Sequence, residues 1–172
     1  INSPVWGWFG DNKPFQFTLD YEPAKSIRKY MSGTPPVISL SAVEPGLDMI
    51  LDAGIENIRQ KSINQTEYLI QLTKELLFPL GFALGSPINP DHRGSHVSIC
   101  HPEAYRISSA LIEPRNNKLK VIPDFREPDN IRMGITPLYT TFEEIFLSIN
   151  RISEIIQSGE YKDYSLERND VT

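Results

Sequence analysis

The chain has 172 residues, of which 40% are hydrophobic and 23% charged, and its formal net charge is −5. This length suits about one domain of ~100–200 residues, and the apolar fraction argues against disorder. A negative chain lacks the basic surface that nucleic acid requires, and no apolar run approaches the ~20 residues of a membrane span. The single cysteine, Cys100, excludes an intrachain disulfide and favours a cytoplasmic setting.

The first 36 residues carry glycine, proline and aromatic residues without regular periodicity. Glycine permits positive φ and proline fixes φ, so this composition predicts an ordered, irregular path that packs on something large. The chain begins Ile1-Asn2-Ser3-Pro4, with neither an initiator methionine nor the features of a signal peptide. We therefore expect it to be part of a longer chain.

Apolar residues recur at spacings of three and four from about residue 41 to residue 78, which predicts helix. Residues 37–40 fit either a short strand or the entry to this helix. Gly54 weakens the helix locally by about 1 kcal/mol, and the stretch exceeds a typical helix, so we expect it to bend or to connect two domains. Gly81 suits the position just after the helix end.

Short strands and helices alternate in the remainder of the chain. The predicted strands cover 82–84, 96–100, 119–125 and 131–135, and the predicted helices cover 102–112 and 142–156. The last helix has an apolar stripe of Phe142, Ile145, Phe146, Ile149, Ile152 and Ile156. This order predicts an α/β to α+β fold with a small antiparallel sheet covered by helices. The polar tail from residue 158 to residue 172 is expected to be frayed or docked.

Three residues are candidates for ligand contacts. Trp8, between Gly7 and Gly10, fits either a buried loop anchor or an indole N–H that donates to a ligand. Thr34, in a tight polar turn, fits either a plain turn or a hydroxyl that binds phosphate oxygens. Arg132 lies in a predicted apolar strand and needs a carboxylate partner. That partner is either a ligand or one of the nearby acids Asp124, Glu127 and Asp129.

The histidines do not predict a metal site. His92, His96 and His101 are spaced by four and five, and residues four apart in a strand are far apart along the chain. No Cys-x-x-Cys or His-Glu-x-x-His frame supports them. The sequence also lacks the Gly-x-Ser-x-Gly elbow of a serine hydrolase and the glycine-rich loops of nucleotide sites.

Several distinct motifs follow one another along residues 7–142. They are Gly7-Trp8-Phe9-Gly10, Pro14-Phe15, Tyr30-Met31-Ser32-Gly33-Thr34-Pro35-Pro36, Arg59-Gln60-Lys61-Ser62, Arg93-Gly94-Ser95-His96-Val97-Ser98, Asp124-Phe125-Arg126-Glu127-Pro128-Asp129 and Ile131-Arg132-Met133-Gly134-Ile135-Thr136-Pro137-Leu138-Tyr139. Together and in this order they resemble the C-terminal part of kynureninase. The resemblance is specific because several motifs agree at once.

The resemblance implies a homodimeric hydrolase of the aspartate aminotransferase fold type (fold type I) that depends on pyridoxal 5′-phosphate. Such an enzyme converts L-kynurenine or 3-hydroxykynurenine, with water, to anthranilate or 3-hydroxyanthranilate and L-alanine, in tryptophan catabolism and NAD biosynthesis. Trp8 and Thr34 match positions that hydrogen-bond the cofactor phosphate across the dimer interface. Arg132 matches the arginine that binds the substrate α-carboxylate.

The resemblance also divides the chain. It implies an incomplete end of the large cofactor-binding domain, a long connecting helix and a small C-terminal domain, at residues 1–40, 41–78 and 79–172. The family's Schiff-base lysine precedes the Gly-Trp motif, and no lysine of this chain matches it. We therefore expect no catalytic residue in this chain and no activity from the chain alone.

Two features of the sequence, Asp11 and the absent Schiff-base lysine, keep other functions open. Asp11 stands where many members have histidine, and a carboxylate near the substrate ring would change selectivity, as expected for another fold-type I lyase or desulfurase-like enzyme. The absent lysine would also suit a non-catalytic interaction module. Residues 113–120 look like a surface insertion of little functional weight, since loops tolerate length.

Overall fold

The structure, a computed structural model, describes residues 4–167. The chain divides into two compact units, residues 1–52 and residues 53–172. The first unit consists of irregular chain and short helices, and the second contains a sheet covered by helices. The domain boundaries that the resemblance implies, after residues 40 and 78, stay predictions.

The first unit has little regular structure before its helices. Two 3-10 turns, Trp8–Gly10 and Ile27–Tyr30, precede α1 (Val37–Ser41) and α2 (Glu44–Ala53). Residues 37–40 are thus helical rather than extended. Neither α1 nor α2 buries a residue, and among the described hydrophobic residues of this unit only Ala24 is buried.

Gly54 interrupts the long helix predicted over residues 41–78. Its φ of +76° lies in the left-handed region, which glycine adopts at little cost. Because helical backbone cannot continue through this conformation, α2 ends just before it and a second helix starts just after it. That part of the chain comprises α3 (Ile55–Leu72), a π-helical turn (Thr73–Leu77) and a 3-10 turn (Phe78–Leu80). Gly81 ends the helical chain at a φ of +91°, as predicted.

The second unit confirms the predicted order of strands and helices. Its further elements are β1 (Ala83–Leu84), β2 (His96–Cys100), α4 (Ala104–Ile112), β3 (Asp124–Arg126), β4 (Asn130–Gly134) and α5 (Phe142–Ser158). The four strands form one antiparallel sheet in the order β1-β2-β4-β3.

Strand β3 is shorter than the strand predicted over residues 119–125. Pro123 has no N–H for a strand ladder, and the Val121 N–H donates instead to the carbonyl of Leu111 in α4, at 2.9 Å. Pairing with β4 therefore begins only at Asp124.

The core lies on one face of the sheet. Alternate residues of β2 and β4 are buried there and pack against α3, α4 and α5. These strand residues are Val97, Ile99, Ile131 and Met133. The intervening residues of the same strands lie on the opposite, polar face.

Helix α5 begins with a capping box, in which Thr141 and Glu144 satisfy each other's backbone N–H groups. The predicted stripe is only partly correct: Ile149 and Ile152 are buried, whereas Phe146 is 43% exposed. Ile155, outside the predicted stripe, is fully buried. The helix is thus rotated slightly from the orientation that its largest side chains suggest.

The chain after α5 docks on the second unit as far as the structure describes it. Glu160, in a 3-10 turn, accepts hydrogen bonds from Arg151 at 2.5 and 3.0 Å, and Arg151 is 3% exposed. Lys118 reaches Glu160 at 3.1 Å from the loop that resembles an insertion. That loop therefore helps to hold the docked chain, and residues 168–172 lie outside the described residues.

Candidate functional site

Trp8 lies at the start of a 3-10 turn in the first unit. The turn closes through a hydrogen bond from the Gly10 N–H to the Gly7 carbonyl, at 2.9 Å. The Trp8 ring packs edge-on against Phe9 and Phe15, at centroid distances of 4.9 and 5.7 Å. It stays 45% exposed, so packing fixes the indole without burying it, and its N–H remains available to a ligand.

The two glycines around Trp8 are required by the neighbouring chain. A Cβ on Gly7 would lie 1.8 Å from the Ser32 carbonyl oxygen, and one on Gly10 would lie 2.7 Å from the Lys29 carbonyl oxygen. Both distances are too short for any side chain. The backbone that carries Trp8 therefore packs directly against the segment that leads to Thr34.

The structure thus brings the backbone segments that carry the two predicted phosphate contacts together at one corner of the first unit. Thr34 follows Ser32 by two residues and is exposed. No described residue hydrogen-bonds its hydroxyl. A Cβ on Gly33 would meet no atom within 4 Å, so the backbone beside Thr34 faces open space.

Asp11 holds this corner in shape. One carboxylate oxygen accepts the Lys13 N–H at 2.7 Å, and the other accepts the Glu22 N–H at 3.0 Å. Arg28 donates to the backbone carbonyls of Asp11 and Asn12, at 2.8 and 3.0 Å. The Asp11 carboxylate is therefore engaged within its own loop.

A cavity of about 340 Å³ lies beside the same turn. Its lining combines apolar surface with polar groups: Trp8, Asp11, Lys13, Pro14, Phe17, Thr18, Leu19 and Tyr21. The Tyr21 hydroxyl is buried and has no partner among the described residues.

The hydrogen-bond donors at this corner suit the phosphate group of a pyridoxal phosphate. A phosphate needs N–H and O–H donors, and the Trp8 indole and the Thr34 hydroxyl are exposed donors with no described partner. Neither is charged. The phosphate roles of Trp8 and Thr34 stay predictions.

Arg132 lies at the centre of β4, on the polar face of the sheet in the second unit. It pairs in register with Ser98 of β2 and with Asp124 of β3, and its side chain is 37% exposed. Its Nη2 donates to Asp124 Oδ2. Of the acids considered from sequence, the partner in the structure is therefore Asp124.

This pairing does not use up the guanidinium. Arg132 Nε and Nη1 have no hydrogen-bond partner among the described residues, so the group retains donors for a ligand carboxylate. Arg126 also reaches Asp124 Oδ2, with both contacts at 3.0 Å. Sequence reasoning placed Asp124 among several candidates but did not detect that Arg126 shares it, because that contact depends on the strand register.

Several motifs quoted for the resemblance have a structural role in the second unit. Arg93 is 8% exposed and donates to Thr66 of α3 at 3.1 Å. The Ser62 and Ser95 hydroxyls are hydrogen-bonded at 2.8 Å. These contacts join α3 to the start of β2 and so place the strand that neighbours Arg132.

The histidines are not grouped for metal binding. Among the described residues no cluster of three or more His, Cys, Asp or Glu side chains has the arrangement of a metal site. The His101 ring stacks near Phe82, at 4.5 Å, and its Nδ1 accepts the Glu103 N–H at 3.0 Å. Burial lowers the pKa of His101 below its ordinary value.

Comparison with solved structures gives the fold. The alanine–glyoxylate aminotransferase from Nostoc sp. is similar over 76% of this chain and 34% of its own, with a TM-score of 0.55 and 18% sequence identity. The predicted fold is confirmed: the architecture is that of part of a fold-type I aminotransferase. No helix within residues 4–167 combines the length and apolar character needed to cross a membrane.

Sequence comparison gives the family. The kynureninase C-terminal domain matches residues 58–152. The kynureninase of Geobacillus thermodenitrificans is 39% identical over 164 residues, which cover 94% of this chain and 37% of the relative. That of Pseudomonas fluorescens is 38% identical over 156 residues, 91% of this chain and 36% of the relative. The chain belongs to the kynureninase family and spans little more than a third of the length of these relatives.

Proposed function

We propose that the protein containing this chain is a pyridoxal-phosphate-dependent hydrolase of kynurenine-type amino acids. It converts L-kynurenine or 3-hydroxykynurenine, with water, to anthranilate or 3-hydroxyanthranilate and L-alanine. Membership of the kynureninase family is the observation that carries this proposal. The proposal includes a homodimer and a cytoplasmic role in tryptophan catabolism and NAD biosynthesis.

Two parts of the chain have distinct roles in this proposal. The Trp8 indole and the Thr34 hydroxyl hold the cofactor phosphate, and their rigid backbone support keeps the cofactor in one orientation. Arg132 binds the α-carboxylate of the amino acid through two parallel hydrogen bonds, which fixes the substrate's orientation. The bound cofactor supplies the electron sink for the reaction.

The hydrogen bonds of Asp11 bear on whether the enzyme is instead another fold-type I lyase. Both of its carboxylate oxygens accept backbone N–H groups, so its described role is to shape the loop. This gives no support to a different fold-type I lyase. A panel of amino acid substrates, tested on the same protein, separates kynurenine hydrolysis from carbon–sulfur or other carbon–carbon cleavage.

The decisive experiment uses the full-length protein loaded with pyridoxal phosphate. We expect it to release anthranilate from L-kynurenine, or 3-hydroxyanthranilate from the hydroxylated substrate, as followed by fluorescence. Failure to release either product from a cofactor-loaded, folded protein would refute the proposal. We expect the 172-residue chain alone to be inactive in the same assay, since none of its lysines matches the Schiff-base position of the family.

A further inference from the structure

Three polar side chains form a row across the sheet of the second unit. Ser98, Arg132 and Asp124 occupy paired positions on β2, β4 and β3. We propose that Asp124 is a positioning residue, which aims the Arg132 guanidinium at the α-carboxylate of the substrate. This inference rests on the proposed function, in which Arg132 contacts that carboxylate.

The contacts of Asp124 hold it in place from two sides. Its Oδ2 accepts from Arg132 Nη2 and from Arg126, whose Nε and Nη2 both lie at 3.0 Å. Asp124 and Arg126 lie on the same short edge strand, so the two Arg126 contacts restrain the carboxylate that Arg132 meets. An arginine on the neighbouring strand then has one preferred orientation rather than the many rotamers of a free side chain.

The charge of this cluster suits an anionic ligand. Two guanidiniums share one carboxylate, so the group keeps a net positive charge even with the Arg132–Asp124 pair formed. A single carboxylate without Arg126 would neutralise Arg132 and compete with the substrate. Arg126 therefore allows Asp124 to orient Arg132 without cancelling its attraction for a carboxylate.

Arg132 keeps donors that the described chain does not use. Its Nε and Nη1 have no described partner, and Gly134, the next residue on the same face of β4, adds no side chain. A Cβ at that position would have no heavy atom within 4 Å. Nη2 has a second N–H, so a ligand carboxylate can pair with Nη2 and with either Nε or Nη1 while Asp124 keeps its hydrogen bond.

A purely structural role explains the cluster less well. The side chains of Arg132, Asp124 and Arg126 are 37%, 42% and 62% exposed. Ion pairs this open to water contribute little to folding stability. Their value lies in orientation, which matters only when a ligand meets the guanidinium.

The test compares a carboxylate ligand with its uncharged counterpart in the full-length holoenzyme. L-Kynurenine and L-kynurenine amide are compared by KM and kcat, and L-alanine and L-alaninamide by calorimetric binding without turnover. The variants are Asp124→Ala, Asp124→Asn and the conservative Asp124→Glu. Asp91→Asn serves as the control, because Asp91 is exposed and lies in the separate turn before β2.

We expect Asp124→Ala to weaken binding of the carboxylate ligands by about tenfold to a hundredfold. Binding of the amides should change by less than about twofold, so the preference for the acid over the amide falls. For L-kynurenine the effect should be mainly a higher KM, with a smaller change in kcat. Asp124→Asn should lie in between, Asp124→Glu should recover part of the selectivity, and Asp91→Asn should match the unmodified protein.

Two results would overturn the proposal. Equal weakening of acids and amides in a folded Asp124→Ala protein would make Asp124 merely structural. Tighter binding of the acids would show that Asp124 competes with the substrate for Arg132. Should the unmodified holoenzyme fail to hydrolyse kynurenine, the proposed function fails, and the alanine–alaninamide comparison still decides whether Asp124 orients Arg132.

Discussion

At the scale of single residues, Arg132 is the side chain of the second unit with the clearest ligand chemistry. It lies on a central strand, so its backbone is fixed, and only one of its nitrogens has a described partner. We predict that Arg132→Ala in the full-length enzyme weakens substrate binding by roughly 2–4 kcal/mol, the range for a charge pair that is desolvated once the substrate is bound. Its affinity for the cofactor should stay unchanged.

Steady-state kinetics and cofactor titration measure the two parts of this prediction separately. Arg115→Ala is a suitable control, because Arg115 lies on the exposed insertion-like loop and pairs with Asp163 rather than with a ligand site. An unchanged KM in the Arg132→Ala enzyme would contradict a carboxylate-binding role.

Trp8 provides the corresponding test in the first unit. Trp8→Phe keeps an aromatic ring against Phe9 and Phe15 but removes the indole N–H. Loss of one hydrogen bond to a charged phosphate should weaken cofactor binding by about 1.5–3 kcal/mol, as measured by equilibrium dialysis. Trp6→Phe is the matched control, because Trp6 stacks on Tyr21 at 4.9 Å outside the predicted phosphate contact. Equal cofactor affinity in both variants would make Trp8 a structural anchor.

At the scale of elements, sequence patterns predicted most of the second unit because its burial follows simple periods. The alternation in 96–100 and the three-and-four spacing in 142–156 each reflect one buried face. The limits of β3 were missed because Pro123 and the Val121 hydrogen bond to α4 act together. Gly54 was identified as a weak point and the stretch was expected to bend, but a full break was not predicted, since a glycine shows only that positive φ is permitted and not that the chain uses it.

The candidate site was also predicted only in part from the sequence. The resemblance selected Trp8, Thr34 and Arg132. Their residue types alone indicated a donor to a ligand, a hydroxyl for phosphate oxygens and a partner for a carboxylate, respectively. The partner of Arg132 was not determined, because Asp124 is chosen by the pairing of β3 with β4. The need for glycine at position 7 likewise comes from contact with Ser32, which is distant in sequence.

Docking of the chain after α5 is expected to depend on pH. Hydrogen bonding to Arg151 lowers the pKa of Glu160 below its ordinary value, although burial acts in the opposite direction. A carboxyl group with a depressed pKa in the folded state contributes stability above its unfolded pKa of about 4.3, and this is lost as pH falls through the folded value. The docked segment should therefore loosen only at acidic pH.

Glu160→Gln removes the stability that the ionised Glu160 carboxylate contributes at neutral pH. Because Arg151 is buried and would keep only the half-exposed Glu154 as a charge partner, the local opening free energy should fall by up to about 3 kcal/mol. Amide hydrogen exchange over residues 160–164, compared between variant and unmodified protein at matched pH, measures it. The difference should be large near pH 7 and shrink as the pH falls through the depressed pKa of Glu160, because the protonated carboxyl no longer differs in charge from glutamine. A difference that persists undiminished at low pH would assign the effect to packing instead.

At the scale of the whole molecule, the two units differ in how much apolar surface they bury. The second has a continuous core, whereas α1 and α2 of the first bury nothing, and Ile38 and Leu51 are 89% and 68% exposed. Apolar surface of this extent usually marks an interaction surface and promotes association.

We predict that the 172-residue chain alone self-associates, giving sedimentation coefficients that rise with concentration. Ile38→Glu with Leu51→Glu should reduce this rise while Gln16→Glu, an equally simple surface change in the same unit, leaves it intact. A chain that stays monomeric across the concentration range would show that this surface does not drive association.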